Sequence, residues 1–152
     1  MQNETDEILV NYFVLCDQVI TEANTNKQSL IGIYSALMTD QLPMITNLSV
    51  AFGARVQSAR PREFLLRLTG PDGEIVFASP PLSCDWESIQ AGLRNNNFAT
   101  LQFGINLRSI RFARPGLYTV TLHCEGSLLA TYPVAVAHGG PGGLSAPPPP
   151  PE

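Results

Sequence analysis

Nucleophilic catalysis needs a base within reach of a Ser or Cys, and an acid that orients the base. The chain holds two histidines, His123 and His138, and three cysteines, Cys16, Cys84 and Cys124. His123 and Cys124 are adjacent, but neighbours on a strand face opposite sides, so they form no dyad. The ordinary reading is a surface imidazole beside a buried thiol. His138 stands at the junction with a Gly- and Pro-rich tail, a poor place for a preorganised base. Cys84 has no cation beside it in the sequence to lower its pKa, so a reactive loop thiol is the weaker reading. The carboxylate pair to suspect is Asp17 with Asp85, each following a cysteine where an apolar stretch ends. Asp at such a point more often caps a loop by accepting from backbone N–H groups.

Metal chemistry is poorly supplied. No C-x-x-C or other zinc-ligand spacing is present. Asp72 and Asn95-Asn96-Asn97 offer oxygens of the kind calcium prefers, yet turns select the same residues for backbone reasons. There is no G-x-G-x-x-G or Walker-type loop, and residues 139–143 lack the strand-to-helix context of a phosphate cradle. No catalytic residue, cofactor or metal is expected.

Recognition has more material. Arg55, Arg60, Arg62 and Arg67 fall on two successive strands and their connection, and Arg108, Arg111 and Arg114 gather before a turn. A guanidinium fork suits carboxylate or phosphate. Pairing with Glu63, Glu74 or Glu87 is the ordinary expectation. Pro147 to Pro151 can form a polyproline stub, but no Lys or Arg flanks it to orient a groove-binding mode.

The elements that must position these groups read as strands. Residues 117–124 alternate, with Tyr118, Val120, Leu122 and Cys124 on one face and Leu117, Thr119, Thr121 and His123 on the other. Glu125-Gly126 is a two-residue turn, and residues 127–136 return, closing a hairpin. Upstream, residues 11–20 and 29–37 form a first hairpin around a polar loop. Residues 47–57 alternate cleanly, with Leu48, Val50, Phe52, Ala54 and Val56 inward and Ser49, Ala51, Gly53 and Arg55 outward. Residues 62–69 and 74–79 flank the Gly70-Pro71-Asp72-Gly73 turn. Trp86, Ile89 and Leu93 at i, i+3, i+7 predict one or two helical turns capped by Asp85, with the single Trp closing one end of the fold. Residues 98–110 make a long strand. The count is eight strands, all antiparallel.

The composition agrees. The chain has 152 residues, 44% of them hydrophobic and 14% charged, with eight Arg and one Lys. A net charge of −4 argues against a general nucleic-acid binder, which needs a basic face. No apolar run reaches the roughly 20 residues that span a bilayer, and the polar, acidic start lacks a signal peptide's basic region. Three scattered cysteines point to reduced thiols in a cytoplasm.

Val14 to Asp17 set against Ser29 to Tyr34, then Leu42-Pro43, the Pro71-Asp72-Gly73 turn and the closing Gly116-x-Tyr118 strand together resemble an uncharacterised family of small bacterial β-sandwich proteins, over about residues 12–136. That resemblance implies a fold and no activity. The expectation is an all-β antiparallel sandwich of about eight strands, of immunoglobulin-like or related Greek-key topology. Residues 1–9 would be a flexible lead-in, 10–137 the domain and 138–152 a disordered Gly/Pro-rich tail. The expected role is a non-enzymatic protein-interaction module in the cytoplasm, with a protein partner, no nucleic acid and no membrane. The alternatives are a structural homo-oligomer, or an enzyme with a loop-borne site near residues 84–97.

Overall fold

The computed structural model describes residues 8–139 and 150–151. Nine strands and one helix follow in the order β1 (Ile8–Thr21), β2 (Gln28–Ile33), β3 (Ala36–Thr39), β4 (Met44–Val56), β5 (Phe64–Thr69), β6 (Ile75–Ala78), α1 (Trp86–Asn95), β7 (Ala99–Phe112), β8 (Gly116–Cys124) and β9 (Ser127–His138). They form two sheets, β2-β1-β4-β7 and β3-β9-β8-β5-β6. The all-β sandwich is as the alternation requires. Leu48, Val50, Phe52, Ala54 and Val56 of β4 are each 1% exposed or less, and they meet Leu66, Leu68, Val120 and Leu122 from the other sheet in one core. Phe52 lies at its centre, with ring centroids 6.4 Å from Phe13, 6.1 Å from Phe64 and 5.9 Å from Phe103. Burying each such ring contributes roughly 2–3 kcal/mol.

The turns follow the residue types. Gly73 has φ +84°, and its N–H bonds Gly70 O at 3.0 Å. Glu125 and Gly126 both have positive φ, the condition for a two-residue hairpin turn whose twist matches the strands. Asp85 caps α1 by accepting from Glu87 N and Ser88 N. The helix runs ten residues, longer than the one or two turns expected. Gly92 lies against Ala99, where an added Cβ would come within 3.1 Å of the Ala99 Cβ.

Three expectations need correction. The single return strand over residues 29–37 is two strands in different sheets. Gly32, with φ +70°, stands against Asp17, and Tyr34 N makes the last bond to β1, at 3.0 Å to Leu15 O. The Tyr132 hydroxyl then holds Tyr34 O, so the chain crosses to the second sheet at that point. There β3 pairs with β9 in parallel, from Ala36↔Ala135 to Thr39↔His138, so the strands are nine and not all antiparallel. Thirdly, β1 begins at Ile8, paired with Val56, which takes Ile8 and Leu9 out of the expected lead-in. His138 likewise belongs to β9. The rest of the lead-in, residues 1–7, and positions 140–149 and 152 of the tail lie outside the described residues.

A further layer was not foreseen. Strand β1 leaves β4 after the Cys16↔Ser49 pair and continues only with β2. This hairpin arm folds over the outer side of its own sheet. Val19 Cγ1 sits 3.1 Å from where a Gly104 Cβ would be, and Gln102 Nε2 donates to Asn26 O at 2.5 Å. Tyr12 covers Gly53 and donates its hydroxyl to Gln28 Oε1. Ser49 and Ala51 point outward as expected, yet they are 4% and 0% exposed beneath this arm.

Candidate interaction surfaces

The seven arginines do not gather into two clusters. Strands β4 and β5 follow one another in sequence but belong to different sheets, which separates Arg55 from Arg67. Arg55 points outward from β4, with its guanidinium carbon 5.8 Å from the Phe98 ring centroid. It lines a hollow of about 450 Å³ with Ile8, Leu9, Gln57, Asn97 and Phe98. Arg67 is exposed on β5, between Thr121 and Ala78. Arg60 pairs with Glu125 at 2.8 Å.

Arg62 is only 2% exposed. Its Nη1 and Nη2 donate to Ser58 O at 3.3 Å and Ser58 Oγ at 2.7 Å, and its guanidinium lies 5.4 Å from the Trp86 ring. A second hollow of about 410 Å³ borders it, lined by Pro61, Glu63, Ser83, Trp86 and Glu125. The signal was available: Arg62 is in phase with inward Phe64, Leu66 and Leu68. Trp86 is partly buried against the core, with its ring beside this buried cation.

At the other group, Arg108 and Arg111 are exposed on β7, on either side of Ser109, whose φ is +56°. Arg114 is engaged by the β5–β6 turn, its Nη2 lying 2.6 Å from Asp72 Oδ2 and 2.7 Å from Glu74 Oε1. Of the three expected carboxylate partners, Glu74 is used. Asp72 serves as an ion-pair partner at the turn.

The thiols and imidazoles sit as follows. Cys124 is 6% exposed, while His123 on the opposite face is half-buried, its Nε2 3.1 Å from Thr121 Oγ1. His138 is exposed at the end of β9. Cys84 is half-buried against the core; burial pushes its pKa up to about 12, with Arg62 opposing and Cys124 adding. Burial also raises Cys16. Asp17 accepts from the Tyr34 hydroxyl, at the level of Ser49 on β4, whereas Asp85 caps α1, which leads into Ala99 opposite Val56. Seven strand residues, roughly 23 Å, separate those levels, so the two carboxylates are not a pair. Among the described residues no group of three or more His, Cys, Asp or Glu could hold a metal ion. Among them, too, no helix is long and apolar enough to cross a membrane.

Sequence reading by individual residues missed the broadest surface. The strands of the larger sheet contain no Asp, Glu or Lys and one Arg, Arg67. Its outer face presents Leu117, Thr119, Thr121 and His123 along the central β8, paired with Ala135, Pro133, Thr131 and Leu128 of β9. Leu117 and Leu128 are each 56% exposed, and Met38 on β3 is 38% exposed.

Comparison with known proteins gives little beyond this. A weak structural likeness is to the Pseudomonas fluorescens alkylpurine DNA glycosylase AlkC bound to DNA containing an abasic site analog, at TM-score 0.46 and 10% identity. It covers 86% of this chain and 30% of that one. No curated protein matches the chain. A family profile matches residues 11–137, nearly the whole sandwich, and the chain therefore belongs to that family of unknown function, DUF6941.

Proposed function

We propose that this chain is a non-enzymatic protein-interaction module that docks a protein partner on the outer face of β3-β9-β8-β5-β6. The observation that carries the reading is the near absence of charge from all five strands. Strands with one solvated face usually alternate apolar residues inward with polar, often charged, residues outward, whereas the centres of interfaces are depleted of charge. Five strands about 4.8 Å apart, of four to twelve residues, give a face of roughly 550 Å² in projection. That approaches the roughly 800 Å² per partner of a standard interface. Leu117 would be the apolar anchor, with Thr hydroxyls around it for hydrogen bonding.

We also read the sandwich as immunoglobulin-like in topology, a framework on which such docking faces can be carried. Tyr118, at the start of β8, donates its hydroxyl to Arg114 O at 2.8 Å, the tie such sandwiches make at this corner. Three free thiols fit a reducing cytoplasm, and a net charge of −4 favours a protein over a nucleic acid as partner.

The test replaces Leu117→Glu and Thr121→Glu together, on outward positions of β8. Circular dichroism should be unchanged, and capture of the partner from the native cell should fall at least tenfold. Equal capture by the folded double variant would reject this face as the docking surface.

A further inference from the structure

Of the four edge strands, β2, β3 and β6 are six, four and four residues long, whereas β7 is fourteen. On one side β7 pairs with β4 over twelve positions, from Met44↔Phe112 to Val56↔Ala99; no described strand lies on the other. Every second residue of such a strand turns both N–H and C=O away from its partner. A row of that kind is a template for another extended chain, and natural edges are commonly blunted by shortness, proline, charge or a bulge. Here the blunting comes late. Residues 99–107 contain no charge and no proline. Their register with β4 is unbroken, and the irregularity appears only between Thr46 and Leu48, beside Ser109, Arg108 and Arg111.

The side chains of the same segment show a matching gap. Phe103 and Ile105 point to the core beside Phe52 and Val50, which are 0% and 1% exposed. Yet Phe103 and Ile105 remain only half-buried, while Leu101 and Leu107 on either side are buried. Helix α1 packs at the start of β7, where Gly92 meets Ala99, and β6 stands near it across the sandwich. Yet the middle of β7 is the part left partly open, with no described strand bonded to its outer backbone groups and with Phe103 and Ile105 incompletely covered.

We propose that a second copy of this chain adds along residues 99–107 of β7, antiparallel, so that two four-stranded sheets join into one of eight strands. The ladder chemistry requires an extended strand, and the charge pattern favours β7 itself. A two-fold axis through Phe103 sets Phe103 beside its own mate and Thr100 opposite Asn106. Arg108 then falls opposite Phe98, which is 44% exposed, so no guanidinium meets another. The two-fold is also the commonest symmetry of soluble oligomers.

Sedimentation equilibrium of the full chain should give twice the 16.5 kDa mass at high concentration. The variant Ile105→Lys places an inward-pointing charge on the edge and should give a folded monomer. Should that variant lose its fold, hydrogen exchange of the unaltered chain decides. Amides of residues 99–107 should exchange at least tenfold faster on dilution to low micromolar concentration, with those of β8 unchanged. The Leu117→Glu, Thr121→Glu chain should remain a dimer, which separates this proposal from docking on the sheet face. A monomer at high concentration, a dimer held by the sheet-face residues, or exchange in residues 99–107 that ignores concentration would overturn it.

Discussion

Replacing Tyr118 by Phe removes one oxygen from a well-defined place. The ring is 1% exposed and packs edge-on against Phe112 at 4.9 Å, and its hydroxyl donates to Arg114 O at 2.8 Å. Arg114 lies in the link between β7 and β8, where the chain passes from one sheet to the other, and its guanidinium grips Asp72 and Glu74. The hydroxyl thus fixes the backbone of the residue whose side chain holds the β5–β6 turn. Phe keeps the ring and its packing, so the loss is one buried hydrogen bond, worth about 1–1.5 kcal/mol. For a domain of this size the unfolding entropy is about 0.3 kcal/mol/K, which converts the loss into a melting temperature lower by roughly 3–5 °C. Scanning calorimetry measures it directly, and urea unfolding with an unchanged m-value would show that only stability moved. Tyr118→Leu should cost about 1 kcal/mol more, because the aromatic pair goes as well. A Tyr118→Phe melting temperature within about 1 °C of the parent would refute the argument that this bond holds the corner.

Other outcomes follow from the same geometry. Gly53→Ala should push Tyr12 off the sheet, since a Cβ would lie 2.2 Å from Tyr12 Cε1; a loss of about 1–3 kcal/mol and faster amide exchange in β2 are expected from denaturation and exchange measurements. Cys84 and Tyr34 both have folded pKa values raised to about 12, from 9.0 and 10.0, chiefly by burial. The folded state keeps these protons longer than the unfolded one, so stability should be full below about pH 9 and fall progressively toward pH 12. Cys84→Ala should flatten part of that slope in denaturation curves taken across the range. At pH 8 iodoacetamide should label Cys84 at least tenfold more slowly in the folded chain than in urea, because burial holds back the thiolate.

Much of the fold was legible because a buried strand must alternate. Strands β4, β5 and β8 could be read residue by residue and β9 as the return of its hairpin, and the Glu125-Gly126 and Gly70 to Gly73 turns announced themselves through residues that tolerate positive φ. Alternation is silent about which sheet a strand joins. Residues 28–39 keep a β pattern straight through the crossing at Tyr34, so two strands in two sheets read as one. The same blindness joined Arg55 and Arg67 into a cluster that the sheet order separates. Ser49, Ala51 and Gly53 are small enough to suit either a solvated face or a covered one. Their burial therefore depended on the β1–β2 arm, which no local pattern reveals. The charge-poor face emerged only when strands far apart in sequence were sorted into the same sheet.

The covering of the smaller sheet decides which surfaces remain for partners. With Tyr12 lying over Gly53 and the β1–β2 arm reaching over Gly104, much of that sheet's outer side is filled by the chain itself. The outer face of the larger sheet and the free edge of β7 stay open, and they point in different directions. A two-fold that joins two β7 edges antiparallel runs perpendicular to the sheets, so it leaves both outer faces of the larger sheets looking the same way. The dimer would then display two Leu117-centred faces side by side. A partner with two matching surfaces would bind the second by an intramolecular step, at an effective concentration set by their spacing rather than by dilution. Ile105→Lys should therefore weaken capture of such a partner while leaving single-site affinity intact, a pattern that loss of the face itself cannot produce.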